Sequence, residues 1–140
     1  EYMDSFLNLK PKIEIILNID SDHLDYFKDV EHIAKSFDKF AKLVPQNGAV
    51  IAYDANPFVK SVISGLPNAI TFGLSESCDY ASDINFNNDG MPQFHVNHGG
   101  KALCQIELAV PGEHNILNAL AAFACGRRIA QSIPYATRVG

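Results

Sequence analysis

Ile13-Glu14-Ile15-Ile16-Leu17-Asn18-Ile19-Asp20-Ser21-Asp22-His23-Leu24-Asp25-Tyr26 is the stretch on which the reading of this chain turns. Its first part, Ile13–Asn18, is a short β-branched run of the kind that forms a buried strand. The part that follows places three carboxylates and one imidazole within six residues. In open α/β sheets, ligands bind beyond the carboxyl ends of the strands. A strand that runs straight into such a loop points to a divalent cation and the polyanion it neutralises, since neutral imidazole and carboxylate oxygens are both competent ligands. The competing reading is a solvated loop whose acids cap the next helix or close Asx-turns.

Downstream, Asp29 suits an N-cap. Val30, Ile33, Ala34, Phe37, Phe40, Ala41 and Val44 then recur at helical spacing, with Pro45 and Gly48 as stop signals. Ala49–Tyr53 predicts a second strand. Asp54 or Asn56 can cap a short helix that has Pro57 in its first turn and ends at Gly65, and Ala69–Phe72 predicts a third strand. Strand, helix, strand, helix, strand in that order implies a parallel sheet with crossover helices. The pattern changes after Gly73. Turn signals at Asn87–Gly90 and Asn97–Gly100 separate short extended segments, and Gln93–Val96 with Ala102–Leu108 reads as a hairpin. Pro111-Gly112-Glu113-His114-Asn115 then opens a long helix reaching about Ile129. The expected fold class is α/β: a mostly parallel sheet flanked by helices with a small antiparallel excursion. One domain spans residues 1–131, and residues 132–140 form a tail.

Composition narrows the function classes. The chain has 140 residues, enough for one ordinary core, and 47% of them are hydrophobic. Eleven basic against 16 acidic side chains give a net charge of −5, which offers no general attraction to nucleic acid or anionic lipid. No apolar run approaches the roughly 20 residues of a membrane-spanning helix. Cys78, Cys104 and Cys125 form no C-x-x-C pair, and an odd, scattered set fits a reducing cytoplasm. Neither G-x-x-x-x-G-K-[ST] nor G-x-G-x-x-G is present, so the chain cannot cradle a triphosphate by that route.

The head of the last helix is the second candidate. His114 and Asn118 are four apart, and Asn115 and Asn118 three apart, so all three can share one face. Asn presents both donor and acceptor atoms, which suits a purine edge. The other reading makes Asn115 a helix cap and the rest a polar face. His32, His95 and His98 read as surface residues, Lys28 and Lys39 as solvated charges, and Arg127 and Arg128 as complements to the helix dipole.

Three stretches together, Glu1–Leu7, Ile16–Phe27 and Pro111–Ala122, resemble the ATP-dependent Mur ligases of peptidoglycan synthesis, and the opening Glu-Tyr-Met-Asp-Ser-Phe-Leu favours the alanine-adding branch. The resemblance implies most of a central ATPase domain. It implies a reaction in which ATP converts the carboxylate of UDP-N-acetylmuramate to an acyl phosphate that the amine of L-alanine attacks, with Mg²⁺ neutralising the phosphates. By motif position it makes His23 the Mg²⁺ ligand and catalytic residue. It sets His114, Asn115 and Asn118 at the adenine, with Asn18 and Asp22 beside the metal. Glu1 matches the second acid of an upstream acidic stretch. The phosphate-binding loop would lie upstream, so the isolated piece is expected to be inactive and its open sheet edge to favour self-association. A carbamylated lysine found in some sister ligases is not matched, because Asp38 stands at that position. Two other functions stay open: a metal-dependent phosphohydrolase using Asp20, Asp22, His23 and Asp25, and a non-catalytic nucleotide-binding module.

Overall fold

Ala49-Val50-Ile51-Ala52 is apolar on both sides of its pleat, as a strand with helices on both faces must be. In the computed structural model, which describes residues 2–19 and 30–132, this run is almost fully enclosed. Ala49 and Ile51 join one apolar cluster, and Val50 and Ala52 join another. The period of two has thus divided the core into two layers.

The described elements are a 3-10 helix Tyr2–Asn8, β1 Ile13–Ile16, α1 Val30–Ala41, β2 Ala49–Tyr53, α2 Pro57–Ile63, β3 Ala69–Gly73, β4 Tyr80–Ser82, β5 Gln93–His98, β6 Lys101–Glu107 and α3 Glu113–Ser132. They build one sheet in the order β1-β2-β3-β4-β5-β6. The first four strands are parallel, and β5 and β6 are antiparallel extensions. Ile33 and Ala41 of α1 and Val59 and Val62 of α2 close one face over Ile16, Val50 and Ala52. Ile116, Leu120, Ala121 and Ala124 of α3 close the other over Ile51, Phe72, Phe94 and Val96. The small residues of α3 let its backbone lie close to the sheet. Phe6, from the 3-10 helix, packs against Phe37 and Phe40 at ring distances of 5.8 and 5.1 Å. None of the described helices is long and apolar enough to cross a membrane.

The expected α/β class is observed, with differences in detail. Asn56, not Asp54, caps α2, and Asp54 instead meets Lys60 at 3.4 Å. The antiparallel part is continuous with the main sheet, because β4 pairs parallel to β3 at Phe72–Tyr80 and Gly73–Ala81. A parallel neighbour ordinarily needs a crossover of a dozen or more residues. Here the connection is residues 74–79, and a side-chain clamp holds it. Thr71 N and Oγ1 donate to Asp79 Oδ2 at 2.8 and 2.9 Å, and Asp79 N donates back to Thr71 Oγ1 at 2.9 Å. The expected four-residue turn at 97–100 is tighter. His98 pairs with Lys101, and only Gly99 and Gly100, at φ +57° and +75°, make the reversal. The helix α3 runs on to Ser132, past the expected Ile129. Asp29, the loop Asp20–Asp25 and residues 133–140 of the tail lie outside the described residues.

Among the described residues, Ser36, Ser82 and Glu14 are polar side chains buried with the core, and Glu14 is the one that can carry a charge. Glu14 shares a face of β1 with Ile16, is 4% exposed, and neither of its carboxylate oxygens has a hydrogen-bond partner among the described residues. Burial alone pushes its carboxyl up to about 7, from an ordinary value of 4.5. Between those values the folded chain holds a proton that the unfolded chain has released, so stability falls as pH rises through that window. Relative to Glu14→Gln, the wild-type chain is expected to lose on the order of 2 kcal/mol between about pH 5 and pH 8. Urea titrations of both proteins across that range measure it. Parallel curves would show that Glu14 ionises like a surface carboxylate.

Candidate nucleotide cleft

The carboxyl ends of β1, β2 and β3 meet the start of α3 at a cleft of about 280 Å³. Leu17 and Asn18, just past β1, form one wall. Tyr53 ends β2 and Phe72 lies near the end of β3, with ring centroids 5.7 Å apart and planes inclined by 33°. His114, Leu117 and Asn118 come from the first turns of α3. His114 and Asn118 therefore reach one cleft because four residues make about one helical turn. Asn115 is not among the lining residues. Its Nδ2 donates to Pro111 O at 2.6 Å, and its backbone N donates to Gly112 O at 3.1 Å, which fixes the turn leading into α3. It sits in the third position of the helix, so it is not the N-cap either.

Gly112 has two reasons to be glycine. Its φ of +105° is a conformation that L side chains rarely adopt, and a Cβ there would stand 2.7 Å from His114 Cε1. The imidazole thus lies over the bare Gly112 backbone. Tyr53, Phe72, Leu17 and Leu117 supply apolar walls, while Asn18, Asn118 and His114 supply donors and acceptors. Flat apolar walls with a few polar groups suit a planar heteroaromatic ring. Asn18, Tyr53 and Phe72 were not assigned to such a ring from sequence. The available signal was their position at the carboxyl ends of strands.

His23 and the acids Asp20, Asp22 and Asp25 lie outside the described residues. Among the described residues, no group of three or more His, Cys, Asp or Glu could hold a metal ion. The surface histidines have local partners. His98 stacks on Tyr80 at 4.7 Å and its Nδ1 lies 2.7 Å from Asp79 O, while His95 Nδ1 is 3.6 Å from Asp83 Oδ2. Hydrogen bonds from His95 lower the Asp83 carboxyl below its usual range. A larger hollow of about 500 Å³ lies between the 74–79 loop and the β5–β6 turn. Glu76 and Asp83 line it without any Lys or Arg, which disfavours an anionic ligand there.

The family model for the Mur ligase middle domain matches residues 2–126. The chain belongs to the Mur ligase family. It is 47% identical over 126 residues to the UDP-N-acetylmuramate–L-alanine ligase of Caldanaerobacter subterraneus subsp. tengcongensis, covering 89% of this chain and 27% of that protein. It is 49% identical over 126 residues to the enzyme of the same name from Caldicellulosiruptor saccharolyticus, covering 89% of this chain and 28% of that protein. It thus spans a little over a quarter of the length of these relatives. The crystal structure of UDP-N-acetylmuramate:L-alanyl-gamma-D-glutamyl-meso-diaminopimelate ligase from Neisseria meningitides superposes with a TM-score of 0.76 at 25% identity, over 89% of this chain and 37% of that one. The fold is thus that of a Mur ligase middle domain.

Proposed function

We propose that this chain is the nucleotide-facing part of a UDP-N-acetylmuramate–L-alanine ligase, which joins L-alanine to the sugar carboxylate with ATP in building the peptidoglycan of the cell wall. The observation that carries the reading is its 47–49% identity to ligases of that name over nine-tenths of its length. The cleft supports it. In this reading Asn118 and His114 face the edge of the adenine, Tyr53 bounds its plane with the buried Phe72 packed behind it, and Asn115 holds the turn that presents them. His23 holds Mg²⁺, whose charge offsets that of the phosphates. The three free thiols accord with a reducing cytoplasm.

The test uses the longer ligase and follows phosphate release that depends on ATP and L-alanine. Asn118→Ala is expected to raise the KM for ATP about tenfold while the KM for UDP-N-acetylmuramate stays within about twofold. At limiting Mg²⁺, His23→Ala is expected to lower turnover roughly 10–100-fold, with partial recovery as Mg²⁺ is raised. Equal shifts in both KM values would reduce α3 to a structural helix, and turnover untouched by His23→Ala would remove that imidazole from the metal.

A further inference from the structure

We propose that Asn56 is a positioning residue for the cleft, its side-chain amide tying the β1 wall to the head of α2. The proposal rests on the cleft being the nucleotide site. Asn56 follows Tyr53 by three residues and caps α2 from an extended backbone, φ −86° and ψ 121°. Its Oδ1 accepts hydrogen bonds from Phe58 N and Val59 N, both at 3.0 Å. Its Nδ2 donates to Ile19 O at 3.1 Å, across 37 positions of sequence. One planar amide therefore satisfies two helix N–H groups and a carbonyl of the chain leaving β1.

That carbonyl is in a weakly held place. The named strand β1 ends at Ile16, and Leu17–Ile19 run beyond it. Among the described residues, no backbone–backbone bond outside helices and strands reaches these three. Leu17 is 43% exposed and Asn18 is exposed, so packing does little to fix the wall they form. Ile19 is buried in the α1–α2 layer, and the Asn56 bond fixes the direction of its peptide. The residue type matters. A Ser or Thr oxygen can cap the helix but cannot span both partners, and an ionised Asp can accept but not donate.

Asn56→Asp separates the two roles. It keeps a good N-cap and turns a carboxylate oxygen toward the Ile19 carbonyl. In the longer ligase it is expected to raise the KM for ATP about tenfold, while the KM for UDP-N-acetylmuramate stays near wild type. A wild-type KM for ATP in Asn56→Asp, under conditions where Asn118→Ala raises it, would overturn the proposal. If neither variant changes the KM for ATP, the nucleotide reading of the cleft fails, and the carbonyl ¹³C shift of Ile19 in the 140-residue chain then judges the tie alone. An upfield move of that resonance in Asn56→Asp, as a carbonyl shows on losing its donor, supports the tie, and an unchanged shift refutes it.

Discussion

Gly48→Ala is expected to destabilise the chain by about 3 kcal/mol or more, although it adds a single methyl group. A Cβ at Gly48 would overlap the Lys12 carbonyl oxygen and stand 2.7 Å from Val44 Cγ1 and 3.0 Å from Pro45 O. Two of those three atoms are backbone, and the backbone there cannot step aside. Ala49 N donates to the same Lys12 carbonyl at 3.1 Å, Gly48 N donates to Pro45 O at 2.7 Å, and Arg128 Nη2 donates to Asn47 O at 3.0 Å and Gly48 O at 3.3 Å. Relieving the clash means opening the start of the β1–β2 ladder at Ile13–Ala49. Denaturant unfolding of the purified chain gives the number. A loss under about 1 kcal/mol would mean that this corner relaxes more easily than its hydrogen bonds allow.

Phe72→Ala is the second large effect. The ring is fully buried, packs in the α3 layer and lies under Tyr53, so its removal deletes core contacts and the floor of the cleft together. Truncating a buried Phe typically costs about 3–5 kcal/mol, which for a domain of this size lowers the melting temperature by roughly 10 °C or more. Phe86→Ala is the matched control, because that ring is 51% exposed and its loss should matter little. Equal melting temperatures for the two variants would contradict the core assigned to Phe72. The same substitution links fold and site, since the residue that closes the α3 layer also supports Tyr53 in the wall of the cleft.

What sequence could specify is what short-range physics decides. The β-branched run at Ile13–Ile16, the helical spacing from Ile33 to Ala41, the Asn-Pro start of α2 and the glycines of the β5–β6 turn each act within a few residues. Element order and sheet direction follow from them. His114 and Asn118 were legible for the same reason, because residues four apart on a helix share a face. The tertiary structure alone decided the rest. Gly48 reads in sequence as a helix stop, yet it is required by the close approach of Lys12, which only the β1–β2 register brings there. Asn56 reads as a cap, and its bond to Ile19 exists only because α2 starts beside the end of β1. Glu14 looks like a polar interruption of a strand until folding buries it without a hydrogen-bond donor among the described residues. Such features depend on where distant segments meet, and no local pattern of residue types contains that distance.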